Sequence, residues 1–266
     1  MKNVLLLVHD DDGQEARYQA ALDVVRAVGG HLECLDVAIM PEYIGDYFSG
    51  AGGASLLADE REAETANRKR LEERLAREGV SWSWTDVLDD PARAIEQAAD
   101  LADLIVLSSA ALEEREDLRN LAGKAACETG HLVLAVPPKA RGLALADTAL
   151  IAWNGSHEAE TALRAAVPLL ALATETILFD IDDKGTHSAN SAASYLSRHG
   201  IHPVVEMVRG KRDDAIYSLI LERARAANAG YIVMGAFHHS RAAEYVFGGV
   251  TRSMLQESEF PLLIAH

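Results

Sequence analysis

The stretch that decides the fold reads YIVMGAFH at residues 231–238 and GGVT at residues 248–251. Its first part opens with a short, apolar, β-branched run typical of a buried parallel strand, which is predicted to end at Gly235. Apolar residues then recur at helical spacing from residue 250, which places Gly248-Gly249 at a helix start. The first N–H groups of a helix lack partners within it, and glycine permits close approach. The pattern predicts an anion site there, where the Thr251 hydroxyl either binds the anion or caps the helix.

The same order of elements occurs twice along the chain, and an internal repeat changes the prediction for the whole fold. Each copy is predicted to open with a strand, a polar turn and a helix, and then to alternate strands with helices. The strands of the first copy are predicted at residues 4–8, 31–37, 80–87, 104–107 and 131–136. Those of the second copy are predicted at residues 149–153, 176–181, 204–208, 231–234 and 261–265.

Strands that alternate with helices form parallel sheets with right-handed crossovers. The repeat therefore predicts two tandem doubly wound parallel-sheet α/β domains, at residues 1–140 and 141–266, with a linker at residues 137–142. In such Rossmann-like domains ligands bind at the carboxyl ends of the strands. Residues 235–238 follow a predicted strand directly, so they lie at that end of the sheet.

The glycine-bounded segment resembles the C-terminal signature of the universal stress protein family. In that signature, Gly, two residues, Gly, nine residues, and Gly followed by Ser or Thr surround the phosphates of ATP. Gly235 and Gly248 stand at the first and third glycine positions of this chain. His238 replaces the second glycine, and Gly249 stands where Ser or Thr is usual, although Thr251 follows two residues later.

The resemblance implies a ligand, ATP or a related adenine nucleotide, with or without Mg²⁺. It implies phosphate contacts from Gly235, His238, Gly248, Gly249, Val250 and Thr251. Asn154-Gly155-Ser156 occupies the place where the family commonly has Asp-Gly-Ser facing adenosine. Asn keeps the hydrogen bonding but lacks the charge that Mg²⁺ prefers. An ordinary turn and helix N-cap is the alternative for these three residues.

Two apolar positions belong to the same implied site. Ile181 resembles the position whose backbone groups bind the adenine edge in family members, and Met234 precedes the first glycine. For both side chains, core packing is the alternative. The resemblance covers essentially the whole of each half, and it adds an adenine nucleotide α-hydrolase-like fold to the prediction.

Single-domain members of the family commonly pair through the last strand, and a tandem chain makes that pair internally. Residues 131–136 and 261–265 are therefore expected to lie near one another at a pseudo-twofold contact. This arrangement is an intramolecular pseudo-dimer, and it leaves a surface for a homodimer or another protein partner.

The two halves differ at the equivalent place. Ser108-Ser109-Ala110 stands where the second half has Gly235 and its neighbours, and only Gly123 lies near the expected helix start. Residues 1–140 carry 14 Lys and Arg against 27 Asp and Glu, a net charge of −13, while residues 141–266 carry −3. The second half is therefore predicted to bind the nucleotide and the first to be degenerate, since negative charge repels a triphosphate. The alternative is that this charge difference is surface chemistry for solubility.

The composition limits the partners. A formal net charge of −16 disfavours nucleic acid and anionic membranes, because phosphate contacts need clustered Lys and Arg. The apolar run at residues 4–8 is too short for a secretory signal or a membrane span, which predicts a cytoplasmic protein. Cys34 and Cys127 are predicted to be unreactive and form no metal motif, and no metal ligand set is assigned.

Two further segments are predicted to be structural. Trp82 and Trp84 share one strand face and are expected to pack against a helix or the other half. The glycine-rich run at residues 47–54 is predicted to be a mobile connection, and a candidate lid, before a helix at residues 56–77.

Three functions are compatible with these patterns. The leading hypothesis is a stress-response protein in which ATP occupancy of the second half changes its shape or partners, with slow hydrolysis at most. The alternative is a non-nucleotide scaffold with a vestigial site. An adenylate-forming enzyme is a third class, but no pyrophosphate motif supports it. The sequence has no Walker A motif or nucleophile elbow, so it gives no basis for assigning a catalytic residue.

Overall fold

The computed structural model describes residues 1–38, 51–109, 120–181, 188–208, 216–237 and 249–266, with the side chains of residues 51–63, 181 and 188 left out. Elements of the first half are β1 (Asn3–Val8), α1 (Gln14–Val28), β2 (His31–Ala38), α2 (Ala51–Glu78), β3 (Ser81–Leu88), α3 (Pro91–Ala98), a short 3₁₀ helix (Ala99–Leu101), β4 (Leu104–Ser108), α4 (Leu121–Thr129) and β5 (Val133–Val136). Those of the second half are β6 (Thr148–Trp153), α5 (His157–Leu170), β7 (Thr176–Ile181), α6 (Ser188–Arg198), β8 (Val204–Val208), α7 (Ile216–Ala226), β9 (Ala229–Gly235), α8 (Gly249–Glu257) and β10 (Leu262–Ala265).

All ten described strands form one sheet in the order β3-β2-β1-β4-β5-β10-β9-β6-β7-β8. Within each half every strand pair is parallel, as the alternation of strands and helices predicts. The inner strands are almost fully buried apolar runs because helices cover both faces of the sheet. The doubly wound α/β fold is therefore confirmed.

The halves meet through their last strands. β10 pairs with β5 in the antiparallel sense, with Leu262 opposite Ala135 and Ile264 opposite Val133. All four of these residues are fully buried. The expected contact between residues 131–136 and 261–265 is confirmed, and it makes the sheet continuous across the two copies.

Helix α2 begins earlier than the sequence predicts. It starts at Ala51 and runs for 28 residues, so Gly52 and Gly53 lie inside it. The prediction of a mobile connection is therefore wrong for residues 51–54, and residues 47–50 lie outside the described part of the chain. Glycine costs only about 1 kcal/mol per helical residue, and a long helix extends cooperatively once formed. Residues 51–54, half of the segment predicted as a candidate lid, therefore belong to this helix.

The edge strand β3 carries the two tryptophans as predicted. Trp82 and Trp84 are half-buried and pack on the apolar core that faces α1 and α2. The Arg68 guanidinium of α2 stacks over the Trp84 ring, 5.5 Å from its centroid. Packing against a helix is therefore their observed role. No helix among the described residues is long and apolar enough to cross a membrane.

Candidate functional site

Three elements of the second half converge at the carboxyl edge of the sheet: the end of β9, the start of α5 and the start of α8. Gly235, the last residue of β9, lies against Glu158 and Ala159 in the first turn of α5. Two residues later the backbone N–H of Phe237 donates to the hydroxyl oxygen of Thr251 in α8, at 3.2 Å. The strand and helix of the predicted glycine-bounded unit are therefore held side by side.

Gly235 is glycine for a reason that differs from the sequence prediction. A Cβ at this position would lie 2.5 Å from the backbone nitrogen of Ala159 and 2.8 Å from the carbonyl carbon of Glu158. Real Cβ atoms do not approach backbone so closely, so any side chain here would push β9 and α5 apart. Gly235 serves the strand–helix contact, whereas close approach to a ligand is untested.

Asn154-Gly155-Ser156 forms the turn between β6 and α5. The side-chain oxygen of Asn154 accepts from the N–H of Ser156 at 3.1 Å, and Gly155 has φ +72°, a value that favours glycine. The Ser156 hydroxyl accepts from the N–H of Ala159 at 3.2 Å and caps α5. Of the two readings for this segment, the turn and N-cap is observed.

At the start of α8, solvent exposure decreases from one residue to the next. Gly249 is exposed, and a Cβ added there would meet no atom of the described residues within 4 Å. Val250 is half-buried and Thr251 is buried. The first N–H groups of a helix have no partner within it, so those of α8 need partners from outside the helix. His238 and Gly248, the other predicted phosphate ligands, lie outside the described residues.

The two apolar candidates have separate outcomes. Met234 is 5% exposed and packs in the apolar core on one face of the sheet. Of the two roles considered for its side chain, core packing is the one observed. Ile181 ends β7 and pairs in register with Val208, so its backbone lies at the carboxyl edge of the sheet. The structure brings this edge of β7 beside the Asn154 turn, because Trp153 pairs with Asp180.

Comparison with known proteins rests on structure. At the level of sequence, no protein-family model and no curated protein matches the chain. A universal stress protein from Archaeoglobus fulgidus DSM 4304 superposes with a TM-score of 0.74 at 18% identity, covering 99% of this chain and 95% of its own. A protein of unknown function from Pseudomonas aeruginosa PAO1 gives a TM-score of 0.56 at 17% identity and covers 100% and 92%.

The chain has the universal stress protein fold. Both solved structures match it over nearly their entire length, so the likeness includes both halves and the joint between them. At identities this low, structural similarity establishes the fold alone. Any ligand has to be inferred from the residues of this chain.

In the first half of this universal stress protein fold, the equivalent edge of the sheet is filled by an arginine. Arg17 is the fourth residue of α1, and its side chain is 2% exposed. It donates two hydrogen bonds of 2.9 Å to the carboxylate of Asp11 and one of 2.5 Å to the Ser108 hydroxyl at the end of β4. It also donates to the carbonyls of Leu7 and His9, both at 3.2 Å. The guanidinium thus bridges the carboxyl ends of β1 and β4.

A second polar layer continues from this arginine toward α2. Gln14 and Asn67 exchange two side-chain hydrogen bonds of 2.8 Å, and Nδ1 of His9 lies 2.7 Å from Oε1 of Glu64. All four side chains are buried. The sequence analysis missed this network. One signal was available, because Arg17 precedes the buried Ala20 and Ala21 at helical spacing and so shares their inward face.

The start of α4 is also closed. Leu121, its first residue, is buried, whereas Gly249 is the exposed first residue of α8. Gly123 is packed against the second half, because a Cβ there would lie 2.9 Å from the Phe237 ring. Gly123 therefore serves the contact between the halves. The acidic run at residues 113–117 lies outside the described part of the chain.

The remaining candidates for chemistry are unreactive. Burial raises the pKa of the Cys34 thiol to about 12, and burial with the nearby Glu128 raises that of Cys127 to about 11. Both thiols are therefore protonated at neutral pH, although Cys127 is exposed. Across the described ranges, no group of three His, Cys, Asp or Glu side chains has an arrangement that would hold a metal.

Proposed function

We propose that this chain is a tandem universal stress protein, with domains at residues 1–140 and 141–266, whose second domain binds ATP or a related adenine nucleotide. Occupancy of that site changes the shape of the protein or its protein partners in a cytoplasmic stress response. Turnover of the nucleotide is slow or absent.

The observation that carries this proposal is the open start of α8. Gly249 is the exposed first residue of a nine-residue helix, and no described atom lies within 4 Å of the place that its Cβ would take. The start of this helix is held beside the end of β9 by the bond from the Phe237 N–H to Thr251. Helix amino termini attract anions through their N–H groups and their positive dipole end. In the first half, Leu121 and the Arg17 network take up the equivalent places. One nucleotide per chain is the stoichiometry that follows.

The test is titration calorimetry with ATP, ADP and AMP on the whole chain. Gly249→Val places a branched side chain where phosphate oxygens would lie, and no described residue is close enough to clash with its Cβ. It should weaken ATP binding at least about tenfold, the equivalent of one charge-assisted hydrogen bond. Gln256→Val, at an exposed position in the last turn of the same helix, is the matched control and should bind as the unmodified chain does.

Two results would contradict the proposal: two equivalent nucleotide sites, or a Gly249→Val variant that binds as tightly as the control. Mg²⁺ is tested by repeating the titration with EDTA. Asn154 offers an amide in place of a carboxylate, so the affinity should depend little on the metal through this residue.

A scaffold without a nucleotide is the second candidate, and one observation favours it. The side-chain oxygens of Asn154, Ser156 and Thr251 all accept hydrogen bonds from the protein itself. Ligand stabilisation separates the two functions, because a nucleotide at 100 times its dissociation constant adds about 2.7 kcal/mol to folding stability. The absence of any thermal shift with all three adenine nucleotides would favour the scaffold.

A further inference from the structure

The first half contains an open cleft between α2 and the edge of the sheet formed by β2 and β3. Its volume is about 650 Å³, within the range of small-molecule sites. It is separate from the start of α8, since every described residue around it belongs to the first copy. The cleft is lined by both charged and apolar side chains. The charged ones are Asp36, Glu64, Arg68, Lys69, Glu72 and Asp86, and the apolar ones are Ala38, Val87 and Leu88.

Asp36 is the most buried residue of this cleft. It is 4% exposed, and its Oδ1 has no hydrogen-bond partner among the described residues. Burial raises its pKa to about 7, and the nearby carboxylates of Glu64 and Asp86 add to the effect, while His9 and Arg68 oppose it. A buried carboxyl group that lacks a partner is stabilised when a cation arrives.

The other charges of the cleft leave an excess of carboxylates. Arg68 pairs with Glu72 at 2.8 Å and with Asp86, and Glu64 lies 2.7 Å from His9. The lining contains four carboxyl groups and two basic side chains. The field in the cleft therefore attracts a positive ligand and disfavours an anion.

The walls select an organic cation over a metal ion. Ala38, Val87 and Leu88 form an apolar side, and Leu88 is 43% exposed although it is a large hydrophobic residue. The described residues offer no group of three ligands for a metal, and the volume far exceeds that of one ion. Apolar contact and a single positive charge are the complementary features.

We propose that this cleft binds a small organic cation, an amine or guanidinium joined to an apolar chain, with the Asp36 carboxylate as its counter-ion. Binding is independent of the nucleotide site. Because part of the Asp36 population is protonated near neutral pH, cation binding expels a proton.

Titration calorimetry with butylammonium and butylguanidinium tests the proposal, with n-butanol as the uncharged control. Measurements in two buffers of different ionisation enthalpy give the proton release. Both cations should bind, butanol should not, and about half a proton should leave per ligand at pH 7, because Asp36 has its pKa there. At pH 9 the release should vanish, since Asp36 is already ionised.

Matched variants assign the effect to Asp36. Asp36→Asn keeps the shape of the side chain and should weaken cation binding at least about tenfold. Asp180→Asn changes the buried aspartate at the equivalent place in β7 and should bind as the unmodified chain does. Asp86→Asn, at an exposed position of β3, tests the field without disturbing the core and should weaken binding about threefold.

Three results would overturn the proposal. Butanol could bind as well as butylammonium, which would make the cleft purely apolar. Asp36→Asn could fold normally and bind both cations with unchanged affinity. Mg²⁺ could displace butylguanidinium stoichiometrically, which would identify a metal site.

Discussion

The carboxyl ends of β1 and β4 in the first half correspond to those of β6 and β9 in the second, yet different groups fill them. Arg17 reaches across the first pair of strands and is buried in hydrogen bonds. The fourth residue of α5 is Glu160, which pairs with Arg164 at 3.3 Å on an exposed surface. One fold thus supports a self-satisfied polar core in one copy and an open helix start in the other.

This difference shows which part of a doubly wound domain distinguishes the two copies. The strands and their register are nearly the same in both copies, so the sheet does not distinguish them. The distinguishing groups are the first turns of the helices that follow the strands. The single side chain of Arg17 on α1 occupies the hydrogen-bond acceptors at the ends of β1 and β4 that a ligand would otherwise contact.

The largest expected effect comes from removing that side chain. Arg17→Met should lower the free energy of unfolding by about 3–5 kcal/mol, because it leaves the Asp11 carboxylate partly buried without its partner. Urea denaturation measures the change. Glu160→Met, the matched substitution in α5, should change it by less than about 0.5 kcal/mol, since its ion pair is exposed. Equal losses of unfolding free energy in the two variants would contradict the difference between the halves.

A smaller effect depends on pH. Asp36 has its pKa raised from 3.8 to about 7 in the folded protein, so the folded state holds a proton that the unfolded state has lost between these values. The contribution of Asp36 to stability should therefore fall as pH rises from 4 to 7. Asp36→Asn removes this loss and should be more stable than the unmodified chain by about 2–4 kcal/mol at pH 8.

The gain from Asp36→Asn should disappear below pH 4, where the carboxyl group is neutral in both states. Chemical denaturation at pH 4, 6 and 8 gives the profile. A constant difference between the variant and the unmodified chain at all three values would show that Asp36 is not titrating in the folded protein.

The smallest expected effect probes the contact between the halves. Gly123→Ala places a methyl group 2.9 Å from the Phe237 ring and should cost about 1–2 kcal/mol, the usual penalty for overpacking. Gly249→Ala is the matched control, because its methyl group meets no described neighbour within 4 Å and alanine favours a helix. Thermal unfolding of both variants compares them, and a stable Gly123→Ala protein would contradict the tight joint.

Periodicity and the repeat were sufficient for the fold. The pairing of β5 with β10 followed from the family resemblance and is confirmed. Helix α2 was predicted too short, because two glycines in sequence do not reveal how far a long helix extends. Local patterns report local preference, and tertiary packing decides the boundary.

The candidate site was less predictable. The start of α8 lies beside the segment after β9, where the Phe237 N–H donates to Thr251, but the structure gives Gly235 a packing role against Ala159. Spacing cannot reveal that a helix from another part of the chain passes within contact distance. The Arg17 network combines β1, α1 and β4, and the cleft at Asp36 combines β2, β3 and α2, so neither could be assembled from one motif.

The antiparallel joint between β5 and β10 lies within a single polypeptide. Separate copies would sort into like and unlike pairs, and their proportions would vary with the amount of each made. A short tether holds its partner at an effective concentration near the millimolar range, which favours the internal pairing over exchange between chains. Every folded molecule consequently contains one copy of each kind, in a ratio that no change in expression level can alter.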